Sequence, residues 1–267
     1  MVWWIAGTAV AYGVKKLMDA DKKEARAERI NANSFQRIAD AEEKVMEMQY
    51  ITRMSLEKLA NRKRGILNTS IKDFIDTYEK IMAIEFHEGD GIKELKILTI
   101  PRAIFNEMKQ LTAVASTPMS DKQVLYTFIV GGIPGLIENE AEQRLSESLM
   151  RKKQAAVIES QSETFVVALD AIKQRSDRIS EVLAKLNLIF RKSIKQMEQV
   201  IARFGQDRLT YQKSDRRCIM VAVNLAMTIK KILDTKLLDE KGEITTQSIE
   251  AIKMGDQFLS QLDLAIK

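Results

Sequence analysis

The sequence predicts an all-α protein, an elongated antiparallel helical bundle with long coiled-coil-like helices. Three observations carry that prediction. Between Phe165 and Phe204 the chain repeats in alternating steps of four and three: Phe165, Leu169, Ile172, Ile179, Leu183, Leu186, Phe190, Met197, Val200 and Phe204, with Ser176 and Ser193 at the two polar positions. No Gly or Pro interrupts this run, so it reads as one long helix whose inner side packs against other helices. Second, the 267 residues hold 3 Pro and 11 Gly with no Pro/Gly/Ser-rich linker, which favours a single elongated helical domain over 1–267. Third, Asp19 to Arg64 is dominated by Lys, Glu, Ala and Arg and contains neither Gly nor Pro, a strong helix-forming composition.

Bulk chemistry narrows the function classes. Charged residues are 30% and apolar residues 45%, which suits helices that each bury one stripe. The formal net charge of +5 leans mildly toward anionic partners such as lipid headgroups, since 42 basic residues are interleaved with 37 acidic ones. The single Cys218 rules out an intramolecular disulfide and fits a reducing, cytoplasmic setting, although secretion without a cleavable signal is also compatible with it.

Taken in order, Val2 to Val14 carries no charge and is followed at once by Lys15 and Lys16. A signal peptide would need a basic stretch first, and a span needs about 20 apolar residues. Residues 1–18 therefore read as an apolar N-terminal helix, either a membrane anchor or a helix buried in its own bundle. Trp3, Trp4 and Tyr12 are interfacial aromatics, Ile5 and Val10 add apolar area, and Gly7/Ala11 and Ala9/Gly13 have the small-x-x-x-small spacing of close helix pairs. Lys15, Lys16, Lys22 and Lys23 would keep the body on the cytoplasmic side.

The next helix has a thinner stripe: Ile30, Phe35, Ile38, Val45, Met48, Ile51 and Leu59, with Ala41, Thr52 and Ser55 beside it. Arg62-Lys63-Arg64, ahead of Gly65, reads as complementing the helix dipole rather than as a phosphate site. Asn68, Thr69 and Ser70 are good caps for a new helix, unless the period runs through them. Ile71, Phe74, Ile75, Tyr78, Ile81 and Met82 point inward, His87-Glu88-Gly89-Asp90-Gly91 ends the helix, and Pro101 opens another.

Residues 110–137 form an apolar tip or core segment. Ser120-Asp121-Lys122-Gln123 is a capping box, and the helix it starts becomes fully apolar before Gly131-Gly132-Ile133-Pro134-Gly135. Leu125, Phe128, Ile129, Val130, Ile133 and Leu136 are its candidate membrane or partner contacts. Later, Cys218 to Ile229 is apolar on most sides and reads as the bundle centre, and Thr246 to Ile266 forms the last helix.

Catalytic and metal signatures are missing from the sequence. One histidine, His87, excludes a zinc cluster and a paired Glu-x-x-His di-iron site, and no phosphate-cradling glycine motif occurs. In Asp239-Glu240-Lys241-Gly242-Glu243-Ile244-Thr245, a calcium-loop register would put Leu237 and Ser248 where carboxylates are required. Basic pairs such as Arg191-Lys192 and Arg216-Arg217 lack the aromatics of a nucleic-acid surface.

These readings favour a non-enzymatic, membrane-associated helical protein without a cofactor. It would be oligomeric and pore-forming or membrane-remodelling, and would act through 2–14 and 124–137. In layout it resembles the α-helical pore-forming toxins, which carry a hydrophobic head between long helices; no shared motif carries the resemblance. The competing expectation is a soluble coiled-coil scaffold or regulatory subunit that binds itself or another helical protein. Either way, Leu183→Asp puts a charge on a buried stripe, so a loss of about 3 kcal/mol or more is expected on denaturant unfolding.

Overall fold

The computed structural model describes residues 17–82, 99–131, 159–205, 210–239 and 242–266, with side chains from residue 39 in the first helix, 162 in the fifth, and up to 262 in the last. The described chain is mostly helical and contains no strand; its one β-type pairing is an isolated bridge between Leu238 and Ile244. We label the helices α1 (Leu17–Ile66), α2 (Lys72–Tyr78), α3 (Arg102–Ser116), α4 (Asp121–Tyr126), α5 (Glu159–Phe204), α6 (Lys213–Asp234) and α7 (Thr246–Ile266).

Helix α5 is 46 residues long, about 69 Å at 1.5 Å per residue. Leu169, Ile172, Ile179, Leu183, Leu186, Phe190, Met197 and Val200 are buried along it, as are Ser176 and Ser193. Phe165 and Phe204, near its two ends, are half-buried. Val182 and Ile194 are buried as well, because α5 faces α6 and α7 in addition to α1.

Helices α1 and α5 run parallel, where the sequence suggested antiparallel neighbours. The hydrogen bonds fix the direction. Thr52 Oγ1 donates to Leu169 O (3.2 Å), Ser55 Oγ to Asp177 Oδ1 (2.9 Å) and Arg62 Nη1 to Ser180 O (2.6 Å). Further along, Thr77 Oγ1 reaches Glu198 Oε1 at 3.4 Å, so both chains advance together. Ser176 Oγ returns a bond to Ser55 O at 3.0 Å. The thin stripe near Thr52 and Ser55 is thus a hydroxyl-to-carbonyl contact, and its small side chains let the two backbones approach. A parallel pair needs a long connecting path between its members.

The expected break after Gly65 is absent. A π turn over Leu67–Ile71 carries α1 into α2, and the flanking Ile66 and Lys72 both keep right-handed helical angles. Thr69 Oγ1 donates to Gly65 O (2.8 Å), so this candidate cap instead satisfies a carbonyl beside the wider turn. The cause lies in the spacing of the inward residues. Leu59, Lys63, Leu67 and Ile71 are spaced by four, which drifts around an ordinary α-helix; one wider turn brings Ile71 and Phe74 back to the core.

Phe190, Phe74, Tyr78 and Phe105 then stack in sequence, with ring centroids 5.5, 5.3 and 5.6 Å apart, joining α5, α2 and α3. The capping box at Ser120 and Gln123 is present, with both reciprocal bonds made. A second π turn, Thr127–Gly131, follows α4. Helix α6 starts at Lys213, with the Asp215 carboxylate accepting from Gln212 N at 2.9 Å. Its Ile219, Met220, Ala222, Val223, Leu225, Ala226, Ile229, Ile232 and Leu233 are buried, and one hydrophobic cluster takes residues from every helix.

Gly255 marks the tightest approach in this cluster. A Cβ there would lie 2.3 Å from Val182 Cγ1 and 3.2 Å from Ile232 Cδ1. Valine is stiff at χ1 and cannot swing aside, so Gly255→Ala should destabilise by about 1–3 kcal/mol despite its better helix propensity. Urea unfolding of this variant checks it; a gain in stability would mean that α7 is free to slide outward.

Candidate functional site

The best-defined polar centre is built by three consecutive residues of α1. Arg62 reaches α5 through Ser180 O. Lys63 Nζ donates to Leu233 O (3.2 Å) and Thr235 O (2.6 Å), the carbonyls at the end of α6. Arg64 donates to Ala115 O and Thr117 O, both 2.9 Å away, at the end of α3. Asn68 Nδ2 donates to Ala115 O (3.0 Å), and Asn68 Oδ1 accepts from Ser116 Oγ (3.0 Å). The last carbonyls of a helix lack partners within it and carry its partial negative charge, so cations are the natural groups to close them. Lys63 and Arg64 do complement helix dipoles, but those of other helices, whereas Arg62 meets a carbonyl in the middle of α5.

Lys63 is fully buried, at 0% exposure. Burial pulls its ammonium down from 10.5 to about 7, and the Asp234 carboxylate partly opposes that fall. Asp234 is itself pushed up by burial, against the pull of its bond to Lys230. Lys230 bridges Asp234 Oδ2 (2.7 Å) and Glu107 Oε2 (2.5 Å); burial works against its charge, but the two carboxylates outweigh it and raise its pKa. The cluster therefore orders a helix end. It offers no accessible nucleophile, because Lys63 has neither exposure nor an approach path.

The candidate contacts on 110–137 are placed differently from an open tip. Phe128, Ile129 and Val130 are buried with Val124, and Leu125 is half-buried. Ile129 O accepts from both Leu237 N (2.9 Å) and Leu238 N (3.2 Å), so the π turn holds the segment that follows α6. Ile133 and Leu136 lie outside the described residues, as do Trp3, Trp4, Ile5, Val10, Tyr12 and His87. Among the described residues no helix is long and apolar enough to cross a membrane.

The remaining sites of potential chemistry are modest. Cys218 is half-buried, and burial raises its thiol above the usual range, which disfavours the reactive thiolate. Among the described residues no group of His, Cys, Asp and Glu is placed to hold a metal ion. Asp239 Oδ1 accepts from Glu243 N (2.8 Å), and Gly242 takes φ 76°, so this loop is a tight connection closed on itself. Comparison with known proteins finds no matching family model, no similar curated protein and no similar solved structure.

Sequence reasoning missed the role of Lys63, and the signal was present. Lys63 falls on the inward row Leu56, Leu59, Lys63, Ile66 and Ser70, where a basic residue has to find a partner in the core. Lys63→Met keeps most of the stem and removes both donors, which should cost about 1–3 kcal/mol near neutral pH. Because the folded value lies below 10.5, the unfolded chain holds a proton that the folded chain has released above about pH 7. Wild-type stability relative to Lys63→Met should therefore rise with pH from about 7 and be flat below it. Burial also raises the Tyr78 phenol from 10.0, so stability is lost with rising pH only above that value. Denaturant midpoints taken between about pH 6 and 9 isolate the lysine, and a constant difference would mean it stays charged throughout.

Proposed function

We propose that this chain is a non-enzymatic helical scaffold or regulatory subunit that works by presenting helix faces to another helical protein or to a second copy of itself. The observation that carries this reading is the self-burial of Val124, Phe128, Ile129 and Val130. A segment that enters a bilayer has to leave the core first. Here it would break the Ile129 carbonyl's two backbone bonds and expose its contacts with α1 and α4.

Two further features support it. The described helices spend their polar groups on one another, through helix-end carbonyls and hydroxyls, and assemble no reactive cluster. Outward-facing Met46, Tyr50 and Met54 recur every fourth residue on α1, opposite the face buried on α5. An apolar row of that kind is what a partner helix covers. A rod-like, coiled-coil-like extension of the α1–α5 pair belongs to the same proposal, supported by helices of 50 and 46 residues. A cytoplasmic setting fits the free Cys218.

Ile129→Asp separates this reading from lipid insertion by 124–137. Burying an unpaired carboxylate should cost roughly 3 kcal/mol and lower the melting temperature by about 6–12 °C in a chain of this size. An insertion segment would instead leave thermal stability intact and lose only lipid penetration. A wild-type melting curve for this variant would remove the scaffold reading.

A further inference from the structure

Charge is divided along α5. Toward its start several bases are matched: Lys173 pairs with Asp177 (2.9 Å), Arg178 with Glu181 (2.7 Å) and Asp256 (2.8 Å), and Lys185 with Glu181 (2.6 Å). Beyond Lys185 the balance fails. Arg191, Lys192 and Lys195 are exposed and meet no carboxylate among the described residues, and Arg203 is exposed beside the Phe204 ring. The single acid of this half, Glu198, is turned toward Thr77 of the α2 side.

Spacing puts Lys192 and Lys195 on one outer face with Leu188 and the Glu181-bound Lys185, and leaves Arg191 and Arg203 off that row. Residues 185, 188, 192, 195, 199 and 202 follow steps of three and four, opposite the buried row of Leu186, Phe190, Met197 and Val200. Leu188 lies in the middle of the face and is 75% exposed, the most exposed of the large apolar side chains described. Lys213 and Arg217, both exposed, begin α6 at the same end, where Tyr211 stacks 6.1 Å from Phe204. Among the described acids, Asp215 accepts from Gln212 N, and Asp73 and Asp76 of α2 are exposed.

We propose that the outer face of α5 from Lys185 to Arg203 is a docking surface for an anionic lipid headgroup layer, with Leu188 as its apolar contact. Exposed bases around one protruding aliphatic side chain match an interface where phosphate oxygens lie above acyl chains. The face runs about 27 Å along the helix. The row of Lys185, Leu188, Lys192, Lys195, Gln199 and Ala202 holds no aromatic to stack on a nucleobase. The attachment is peripheral and reversible, and it leaves the buried 124–130 segment in place. It goes beyond the scaffold reading, which survives if no lipid binds.

The test is sedimentation of the full chain with vesicles of phosphatidylcholine alone and of phosphatidylcholine with phosphatidylserine. Binding is expected only to the second, weakening as salt is raised. Lys192→Gln with Lys195→Gln should cut partitioning roughly 30-fold, about fivefold per lost charge, with an unchanged melting temperature because both side chains are solvated. Leu188→Ser should weaken it further. Equal binding to both vesicles, or wild-type binding by the double glutamine variant, overturns the proposal. So does a gel shift with RNA in the absence of vesicle binding, which would assign the face to nucleic acid.

Discussion

The burial of one lysine among helix-end carbonyls is the constraint on which the rest of the bundle depends. Lys63 sits at 0% exposure where an apolar side chain would ordinarily pack, and it is tolerable there only because the end of α6 offers two unpaired carbonyls. That requirement fixes the level of α6 on α1. Arg62 and Arg64, on either side, fix α5 and α3 at the same level, so one turn of α1 indexes three other helices. Apolar packing alone would not do this, since a helix can slide along a hydrophobic stripe at little cost, whereas each displaced carbonyl bond leaves a buried polar group unsatisfied.

The two π turns follow from the same indexing. With Lys63 pinned, the continuation of α1 has to bring Ile71, Phe74 and Tyr78 inward despite four-residue spacing, and the turn at Leu67–Ile71 absorbs the mismatch. At Thr127–Gly131 a wider turn leaves the Ile129 carbonyl available, and the backbone just past the Lys63-bound end of α6 takes it. Both irregularities therefore border the polar centre. Their placement ties the apolar 124–130 segment to the core, which is why its lack of charge reads as packing and not as exposure.

The outer surfaces obey a different logic. On the inner faces most polar groups are committed, with Ser70 Oγ and Ser180 Oγ buried without a hydrogen-bond partner, whereas the second half of α5 carries bases without local carboxylates around a solvated Leu188. Toward the start of the same helix, bases are matched to acids three or four residues away or on α7.

The sequence by itself determined the helices: the four-three period of α5, the capping box at Ser120, the apolar centre of α6 and the last helix are local properties of spacing and side-chain type. It also marked 124–130 as too apolar to remain wet. Only the tertiary structure decided what covered that segment, that α1 and α5 run parallel, and that Arg62, Lys63 and Arg64 serve three different helices. Periodicity reports which face of a helix is buried and carries no information about the direction or identity of the neighbour. Those are set by long-range carbonyl and hydroxyl contacts such as Thr52 to Leu169 and Lys63 to Thr235, between residues more than a hundred positions apart, which no local pattern encodes.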